Sequence, residues 1–251
     1  MKDYKFSIIT VCLNSEKYLN RCIESVKKQK YKNFEHIIID GQSSDSSIQI
    51  INKNRSHFAK ILTEKDEGIW DAMNKGIRIS KGEIICFLNS DDFYYEDALL
   101  TVNKYFNQNN IDFLFGSVKK YKIFHGYKPW KIRWSFGFYS SHSVGFFIKR
   151  EEHIKVGYYN KKFLSSDLDF FYKMVVNYQL KGMATKKNEI LGEFEKGGFS
   201  SKVNYIKHLK DLNEIRIANN QSPLFVYTIF IFKILKKPFK FLKSLKQIKN
   251  D

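Results

Sequence analysis

The feature of the sequence that most constrains the fold is a short apolar run that ends abruptly in polar residues. The run from Ile84 to Leu88 has five apolar residues and is followed by Asn89-Ser90-Asp91-Asp92. A run this short is typical of a strand buried on both faces of a sheet. Open α/β sheets bind ligands at the carboxyl ends of their strands. We therefore expect this polar cluster to lie at a ligand-binding edge.

The negative charges of the two adjacent carboxylates in this cluster need a compensating partner. Asp91 and Asp92 would repel each other unless a cation or hydrogen-bond donors lie nearby. Oxygen ligands of this kind suit Mg²⁺ or Mn²⁺, often together with substrate phosphates. The alternative is that Asp91 or Asp92 caps the helix that Glu96-Asp97-Ala98-Leu99-Leu100 predicts. The run by itself leaves both interpretations open.

The preceding residues alternate between strand-like and helix-like patterns. Strands are predicted at Phe6–Cys12, 36–40 and 59–63, and a segment of helical periodicity follows each one. This β-α alternation predicts a mostly parallel, Rossmann-like central sheet flanked by helices, which is an α/β fold. The polar residues Asn14, Asp40 and Asp66 come after these three strands, at the same edge as Asp91.

The charge balance predicts an anionic partner. The 251 residues include 43 Lys and Arg against 26 Asp and Glu, a net charge of +17. Nucleic acid, anionic lipid or a phosphorylated substrate would match this charge. The basic residues are dispersed and no nucleic-acid-reading motif is present, so we expect no specific nucleic acid. The absence of a dinucleotide fingerprint and of a P-loop argues against oxidoreductases and P-loop NTPases.

The remaining composition favours a cytoplasmic location. Cys12, Cys22 and Cys86 have no metal-ligand spacing, and an odd, sparse set of cysteines suits a reducing compartment. No signal peptide is expected, because the first strand begins within a few residues of the amino terminus. No apolar run reaches the roughly 18 residues that span a bilayer.

Four motifs in order resemble family 2 glycosyltransferases of the GT-A fold, most closely bacterial enzymes that build surface polysaccharides. The resemblance is dense from about Phe6 to Val118 and looser from His142 to about Ser200. It divides the chain into a donor-binding half (1–118), an acceptor and catalytic-base half of the same domain (119–201), and a helical, basic extension (202–251). The motifs are Ser7-Ile-Ile-Thr-Val-Cys-Leu-Asn14, Ile39-Asp-Gly-Gln-Ser-Ser-Asp45, Glu67-Gly-Ile-Trp-Asp-Ala-Met-Asn-Lys-Gly76 and Phe87-Leu-Asn-Ser-Asp-Asp92.

The resemblance implies a nucleotide-sugar, usually UDP-linked, across the carboxyl ends of the first strands. Three of the residues named in the next sentence have an alternative interpretation. Asp40 would only form a turn, Lys75 would be a solvated lysine, and His142 would be a structural histidine. The donor-binding residues implied by similarity are Thr10, Asn14, Asp40, Asp66, Lys75, Ser90, Asp92 and His142.

By the same resemblance, Asn89-Ser90-Asp91 occupies the place of the Asp-x-Asp metal motif. Asp91 would be the main ligand of Mn²⁺ or Mg²⁺. Asp92 would be a second ligand, a sugar contact or a helix cap. The chain departs from the pattern at Asn89, which brings an amide where many members have a carboxylate.

The catalytic base is implied in the segment Ser165-Ser166-Asp167-Leu168-Asp169. Asp167 would take the proton of the acceptor hydroxyl as that oxygen attacks the anomeric carbon, in one displacement that inverts the configuration. Many members carry Glu where this chain has Ser166, so the choice between Asp167 and Asp169 stays open. Acids are also favoured in any first helical turn by the helix dipole.

The implied activity is an inverting, metal-dependent transfer of a sugar to a saccharide or lipid-linked saccharide in bacterial surface-polysaccharide synthesis. The alternative is a non-catalytic nucleotide-sugar-binding or polysaccharide-assembly module on the same fold. The segment from Lys196 to Ser201 resembles a glycine loop that closes over the donor in this family, or it is an ordinary turn.

The carboxyl-terminal segment is apolar and basic. Leu224 to Leu235 is almost wholly apolar, and lysines alternate with apolar residues after Pro238. This pattern fits a helix on an anionic membrane, at the inner face of the cell membrane. The alternative is a helix that packs on the catalytic domain with its lysines in solvent.

Overall fold

A computed structural model describes residues 5–134, 143–195 and 203–248. Its strands follow the short apolar runs of the sequence. They are β1 (Phe6–Cys12), β2 (Phe34–Asp40), β3 (Lys60–Thr63), β4 (Ile84–Phe87), β5 (Phe93–Tyr94), β6 (Phe113–Phe115), β7 (Ser117–Lys119), β8 (Ile123–Phe124), β9 (Phe146–Lys149), β10 (Gly182–Ala184) and β11 (Ile190–Glu193).

Helices follow most of these strands. A π-helical turn, Lys173–Asn177, continues the seventh helix. The helices are α1 (Glu16–Lys27), α2 (Ser47–Lys53), α3 (Ile69–Ile79), α4 (Ala98–Gln108), α5 (Pro129–Trp134), α6 (Arg150–Val156), α7 (Ser166–Tyr172), α8 (Tyr205–Ala218), α9 (Pro223–Lys236) and α10 (Pro238–Ile248).

The central sheet is mostly parallel, as predicted. Its seven strands have the order β10-β6-β9-β4-β1-β2-β3, and only β9 runs antiparallel to its neighbours. The chain passes from β1 to β2 and β3 on one side, then crosses to β4 on the other side of β1. The reversal creates a switch point between β1 and β4, the position at which α/β sheets form a ligand crevice.

A smaller sheet of four strands lies beside this edge. Its order is β5-β11-β7-β8, and β5 follows directly on the polar cluster after β4. Phe93 pairs with Glu193 in this sheet. The small sheet thus brings the residues around Glu193 close to the end of β4.

Both faces of the central sheet are covered, because alternate residues of each strand enter opposite cores. Ile9 and Ile85 belong to the core that includes α3, whereas Ile8 and Cys86 belong to the core that includes α1 and α4. Gly76 lets α3 approach β1 closely, since a Cβ atom there would lie 2.4 Å from Cγ2 of Ile9. This packing explains why the strands read as continuous apolar runs.

The helix-cap interpretation of the polar cluster is wrong. The helix predicted after residue 96 begins at Ala98, and Asp97 is the residue that precedes it. Strand β5 separates Asp91 and Asp92 from that helix. The two carboxylates therefore belong to the turn at the end of β4.

The three cysteines are free thiols buried in the core. Burial raises the pKa of the Cys86 thiol to about 12 and raises the pKa values of Cys12 and Cys22 as well. All three thiols therefore stay protonated near neutral pH.

The three C-terminal helices pack on the domain with one side. Ile215 of α8 and Val226 of α9 are fully buried in or against the core. Phe230 and Ile234 also pack against the principal core. Among the residues described, no helix is both long and apolar enough to cross a membrane.

Candidate functional site

The loops after β1 and β2 are joined at the carboxyl edge of the sheet. Asn14 (φ 49°) and Gln42 (φ 64°) both adopt the left-handed conformation that asparagine tolerates better than most residues. The Asn14 side-chain oxygen accepts a hydrogen bond from the Ser44 amide at 2.8 Å. The Asn14 amide donates to Ser43 Oγ at 2.9 Å. These bonds hold Asn14 at the rim of the crevice.

Asp40 is fully buried and closes the turn that follows β2. Its carboxylate accepts hydrogen bonds from the amide of Ser43, at 3.2 Å, and from the Ser43 hydroxyl. The Cys12 thiol donates to the same carboxylate at 3.5 Å. This geometry corresponds to the turn-forming alternative. A contact between Asp40 and the nucleotide-sugar stays a prediction.

Asp66 lies against the same turn from the loop after β3. Its Oδ1 accepts a hydrogen bond from the Gly68 amide at 2.9 Å. A Cβ atom on Gly41 would lie 2.5 Å from Asp66 Oδ2. The missing side chain at position 41 therefore makes room for this carboxylate beside the end of β2.

Thr10 has a different place from the one expected. Its side chain is fully buried, and Oγ1 lies 2.9 Å from Nε2 of His36. The reason is strand alternation, since residue 10 of β1 faces the core under α1 rather than the open edge. Thr10 therefore does not line an open pocket, and any role for it in donor binding would be indirect.

The residues after β4 form a tight turn that is fixed by its neighbours. The Asp92 amide donates to the Asn89 carbonyl at 3.0 Å. Ser90 Oγ lies 2.7 Å from Ser15 Oγ, which joins the turn to the loop after β1. The Asn89 amide group donates to Ser143 Oγ at 3.0 Å. The turn is thus tied to both sides of the switch point.

Burial and mutual repulsion perturb the two carboxylates of this turn. Asp91 is half-buried, and burial raises the pKa of its side chain, with the charge of Glu195 adding to the effect. Asp92 is buried, and burial followed by the charge of Asp91 raises its pKa well above the ordinary value. A cation at this position would relieve both effects.

Arg21 and Glu195 complete the surroundings of the turn. The Arg21 guanidinium donates to the Asp91 carbonyl at 2.7 Å and to the Glu195 carboxylate at 3.1 Å. The Glu195 amide donates to Asp92 Oδ1 at 3.1 Å. A small pocket opens here, with Phe93 and Lys120 among its lining residues.

The oxygen atoms of the Asn89–Asp92 turn suit a divalent cation that is also coordinated by a bound ligand. In the part of the chain that the structure describes, no three His, Cys, Asp or Glu side chains form a metal-binding cluster. Within the same part, the buried Asn89 Oδ1 accepts no hydrogen bond. Mg²⁺ and Mn²⁺ are often bound by one or two carboxylates, with phosphate oxygens and water completing the shell. Asp91 and Asp92 suit this kind of site.

Lys75 is held by neighbouring acids. Its ammonium group lies 2.9 Å from Glu64, 3.4 Å from Asp71 and 2.7 Å from the Lys65 carbonyl. Burial alone would lower the pKa of Lys75, but the hydrogen bonds and charges of Glu64 and Asp71 raise it above the ordinary value. The side chain is therefore not simply solvated, and a contact with the donor would require it to leave these partners.

Asp167 lies in the first turn of α7. Its Oδ1 accepts a hydrogen bond from the Leu168 amide at 3.0 Å. Burial raises the pKa of Asp167 to about 6, and the charge of Asp211 adds to the shift. A carboxylate whose pKa approaches neutrality is well matched to proton transfer.

Asp169 has structural partners on both carboxylate oxygens. Oδ2 accepts from Lys173 at 2.7 Å, and Oδ1 accepts from the Asn219 amide group at 2.7 Å. The side chain is only 2% exposed. Of the two acids between which the sequence did not decide, Asp167 is the better placed to accept a proton from a ligand.

The segment that leads into α7 is held from two directions. From α3, the Trp70 indole donates to the Leu164 carbonyl at 3.2 Å, and Asn74 exchanges two hydrogen bonds with the backbone of Tyr159. From α8, Asp211 accepts from the amides of Leu164 at 2.8 Å and Ser165 at 2.9 Å. These contacts position the first turn of α7.

Several of these residues were not found from the sequence. Trp70 and Asn74 lie in the Glu67–Gly76 motif, but their hydrogen bonds are to residues about 90 positions away. Arg21, Glu195 and Asp211 carry no local signal, because each is recognised only by its neighbours in space. His142 and the Lys196–Ser201 loop lie outside the described residues, so their predicted roles stay predictions.

Two solved structures have the same fold. The crystal structure of S. aureus TarS 1–349 in complex with UDP-GlcNAc superposes with a TM-score of 0.73 at 17% identity, covering 93% of this chain and 73% of that one. The mannosyltransferase PcManGT from Pyrobaculum calidifontis, in complex with GDP-Man and Mn²⁺, gives a TM-score of 0.67 at 15% identity, covering 97% and 74%. The predicted GT-A fold is thereby confirmed.

Curated relatives match slightly less than half of the chain. A PGL/p-HBAD biosynthesis glycosyltransferase of Mycobacterium bovis is 34% identical over 118 residues, which is 45% of this chain and 46% of the relative. The Escherichia coli UDP-Glc:alpha-D-GlcNAc-diphosphoundecaprenol beta-1,3-glucosyltransferase WfgD is 32% identical over 118 residues, 47% of each chain. The match thus spans less than half of the length of these relatives.

The family itself is shown by a longer match. The sequence model described as Glycosyl transferase family 2 matches residues 7–176, which include all of β1 except Phe6, β2 to β4, the Asn89–Asp92 turn and Asp167. The chain belongs to glycosyl transferase family 2.

Proposed function

We propose that this protein is an inverting, metal-dependent glycosyltransferase of bacterial surface-polysaccharide synthesis. It moves a sugar from a nucleotide donor, with UDP as the nucleotide, to a saccharide or lipid-linked saccharide. The observation that carries the proposal is the Asn89–Asp92 turn, which holds two adjacent carboxylates of raised pKa at the switch point of the sheet. That edge is where α/β sheets bind nucleotides.

The similar proteins support the choice of donor and acceptor. TarS is seen with UDP-GlcNAc, and the name of WfgD specifies UDP-Glc and a diphosphoundecaprenol-linked sugar. PcManGT is seen with GDP-Man and Mn²⁺, so GDP is the alternative nucleotide. We also propose that the enzyme works in the cytoplasm, at the inner face of the membrane, where a lipid-linked acceptor would be reached.

On the donor side, the loop residues at the crevice bind and orient the nucleotide. Asn14 and Asp66 lie at the rim, and Asp40 fixes the turn between them. Mn²⁺ or Mg²⁺, held by Asp91 and Asp92, would supply positive charge to the leaving diphosphate. Ser90, Lys75 and His142 are the remaining candidates for donor contacts.

On the acceptor side, Asp167 acts as the general base. Its carboxylate takes the proton of the acceptor hydroxyl while that oxygen forms a bond to the anomeric carbon. The bond from the anomeric carbon to the diphosphate breaks on the opposite face, and its electron pair leaves with the nucleotide. General-base assistance of this type contributes about 10²–10⁴-fold to the rate.

Thermal unfolding with nucleotides tests the donor site. We expect UDP with Mn²⁺ to stabilise the wild type by about 2.7 kcal/mol at a hundredfold excess over Kd. Asp91→Asn should lose the part of this shift that depends on Mn²⁺. Asp97→Asn is the control, since Asp97 is an exposed carboxylate nearby that pairs with Lys30. A larger shift with GDP would assign GDP as the nucleotide of the donor. No shift with any nucleotide would contradict the proposal.

Turnover separates the enzyme from a binding module on the same fold. Asp167→Asn should still show the nucleotide shift but should lose sugar transfer. If the wild type binds the nucleotide and the variant Asp167→Asn transfers sugar equally well, Asp167 is not the base. If neither protein transfers any sugar in a panel of donors and acceptors, the binding-module alternative is favoured.

A further inference from the structure

The outward side of α9 is apolar apart from the exposed Thr228, whose hydroxyl donates to the Leu224 carbonyl at 2.8 Å. Leu224, Ile231 and Leu235 are 80%, 56% and 71% exposed. Their spacing of seven and four residues places them on one side of the helix. Val226, on the opposite side, is fully buried against the domain. The exposed stripe is therefore not the side that α9 uses for packing.

The next helix extends this surface. Phe239 of α10 is 86% exposed, and Leu242 is also exposed. The buried Ser244 marks the inward side, where its hydroxyl accepts from the Tyr205 amide at 3.2 Å. We call this surface the outer face of α9–α10. It consists of Leu224, Tyr227, Ile231, Phe232, Leu235, Phe239 and Leu242.

Exposed lysines border the outer face. They are Lys236, Lys237, Lys240, Lys243 and Lys246. The sequence has no acidic residue between Glu214 and Asp251. On α10, steps of 100° per residue place Lys246 between Leu242 and Phe239, and place Lys243 and Lys240 on the other side of Phe239. The result is an apolar surface with lysines beside and among its α10 residues, in a segment of the sequence that has no acidic residue.

We propose that the outer face of α9–α10 binds the surface of an anionic lipid bilayer. The apolar side chains enter the boundary between headgroups and acyl chains, and the lysines contact lipid phosphates. The two helices lie along the membrane plane, because their exposed apolar side chains run along their length. None of the side chains of this face belongs to the proposed donor or acceptor site, so this inference does not depend on the transfer reaction.

Charge complementarity favours lipid over a second copy of the chain as the occupant. Two copies joined through this face would bring their lysines together with no acidic side chain in either segment to offset them. Like charges at an interface disfavour association. An anionic bilayer matches both the apolar side chains and the lysines of this face.

The bilayer-binding helices are connected to the segment that carries Asp167. The Tyr205 hydroxyl donates to the Lys233 carbonyl at 3.2 Å, and Asn204 donates to the Ser244 carbonyl at 3.2 Å. Both residues lie at the start of α8, the helix from which Asp211 holds Leu164 and Ser165. This connection suits an acceptor that is itself held in the bilayer.

Vesicle flotation of the full chain tests the proposal. The vesicles contain phosphatidylcholine alone or phosphatidylcholine with phosphatidylglycerol. The first variant combines Leu224→Ser, Ile231→Ser and Leu235→Ser. The second combines Lys236→Gln, Lys243→Gln and Lys246→Gln. The control combines Lys28→Gln, Lys53→Gln and Lys104→Gln, three exposed lysines elsewhere, and has the same net charge as the second variant.

We expect the wild type and the control to bind only the anionic vesicles, with binding that weakens as salt is added. The apolar variant should lose binding, and the lysine variant should weaken it roughly fivefold for each lysine removed. Unchanged melting temperatures would show that the variants remain folded, since the substituted side chains are exposed.

Three results would overturn the proposal. The first is a wild type that does not bind anionic vesicles. The second is a control that weakens binding as much as the lysine variant, because the binding would then reflect net charge alone. The third is a wild-type dimer in light scattering that the apolar variant dissociates, which would assign the face to a second copy. The nucleotide-shift experiment is independent of all three results.

Discussion

At the scale of single residues, the protonation state of Asp167 controls the proposed chemistry. Burial raises its pKa to about 6, so the folded protein holds the proton at higher pH than an exposed aspartate does. A base must be deprotonated, and activity should therefore rise with pH through this value. We expect kcat to fall about tenfold per unit below pH 5. A kcat profile that stays flat between pH 4 and 7 would contradict this prediction.

A substitution at Gly41 tests how the loops after β2 and β3 pack at the proposed nucleotide site. A methyl group at position 41 would lie 2.5 Å from Asp66 Oδ2. The carboxylate ends a flexible side chain and can move, so Gly41→Ala should fold but displace Asp66 from the crevice. We expect a smaller thermal shift with UDP and an almost unchanged melting temperature without it. Ser56→Ala, at an exposed position, is the control, and equal UDP shifts in both variants would argue against a role for Asp66.

At the scale of elements, α8 positions the start of α7. Asp211→Asn removes a negative charge that raises the pKa of Asp167, so the acid limb of the kcat profile should move to lower pH. The KM for the nucleotide-sugar should change little, because Asp211 contacts the segment before α7, which we propose as the acceptor side. A purely structural role would lower activity without moving the pH profile.

The same residue also stabilises the fold. Asp211→Ala leaves the amides of Leu164 and Ser165 without their acceptor. A fully buried amide without an acceptor costs about 1–3 kcal/mol, and the cost is smaller here because water can reach the exposed Leu164. Urea unfolding should therefore show a larger loss for Asp211→Ala than for Asp211→Asn, which retains one side-chain oxygen. Equal losses in the two variants would indicate that these hydrogen bonds contribute little.

At the scale of the whole molecule, the C-terminal helices contribute to the stability of the domain as well as to the proposed membrane-binding surface. Removing residues 223–251 deletes the fully buried Val226 and the contacts of Phe230 and Ile234 with the principal core. We expect the free energy of unfolding to fall by at least about 1.5–3 kcal/mol, the value for burying one such side chain. An unchanged urea midpoint would show that α9 and α10 are only loosely attached.

Much of the fold could be predicted because its signals are local. The strands β1 to β4 and the helices between them follow from apolar runs and from helical periodicity, which depend on neighbours in sequence. The position of Asp91 at the crevice follows as well, because the carboxyl ends of parallel strands share one edge. The four ordered motifs identified the family before any tertiary contact was known.

The amino-acid sequence alone thus determined the succession of β1 to β4 and the helices between them, the family, and the edge at which the candidate site lies. Tertiary structure alone decided that Thr10 faces the core, that both oxygens of Asp169 are engaged, and that Asp211 holds the start of α7. It also decided which side of α9 packs and which is exposed, although both sides are apolar. The physical reason is that hydrogen bonds and burial depend on distances in space. Apart from Lys173, four residues from Asp169, these partners lie tens of residues apart in the chain.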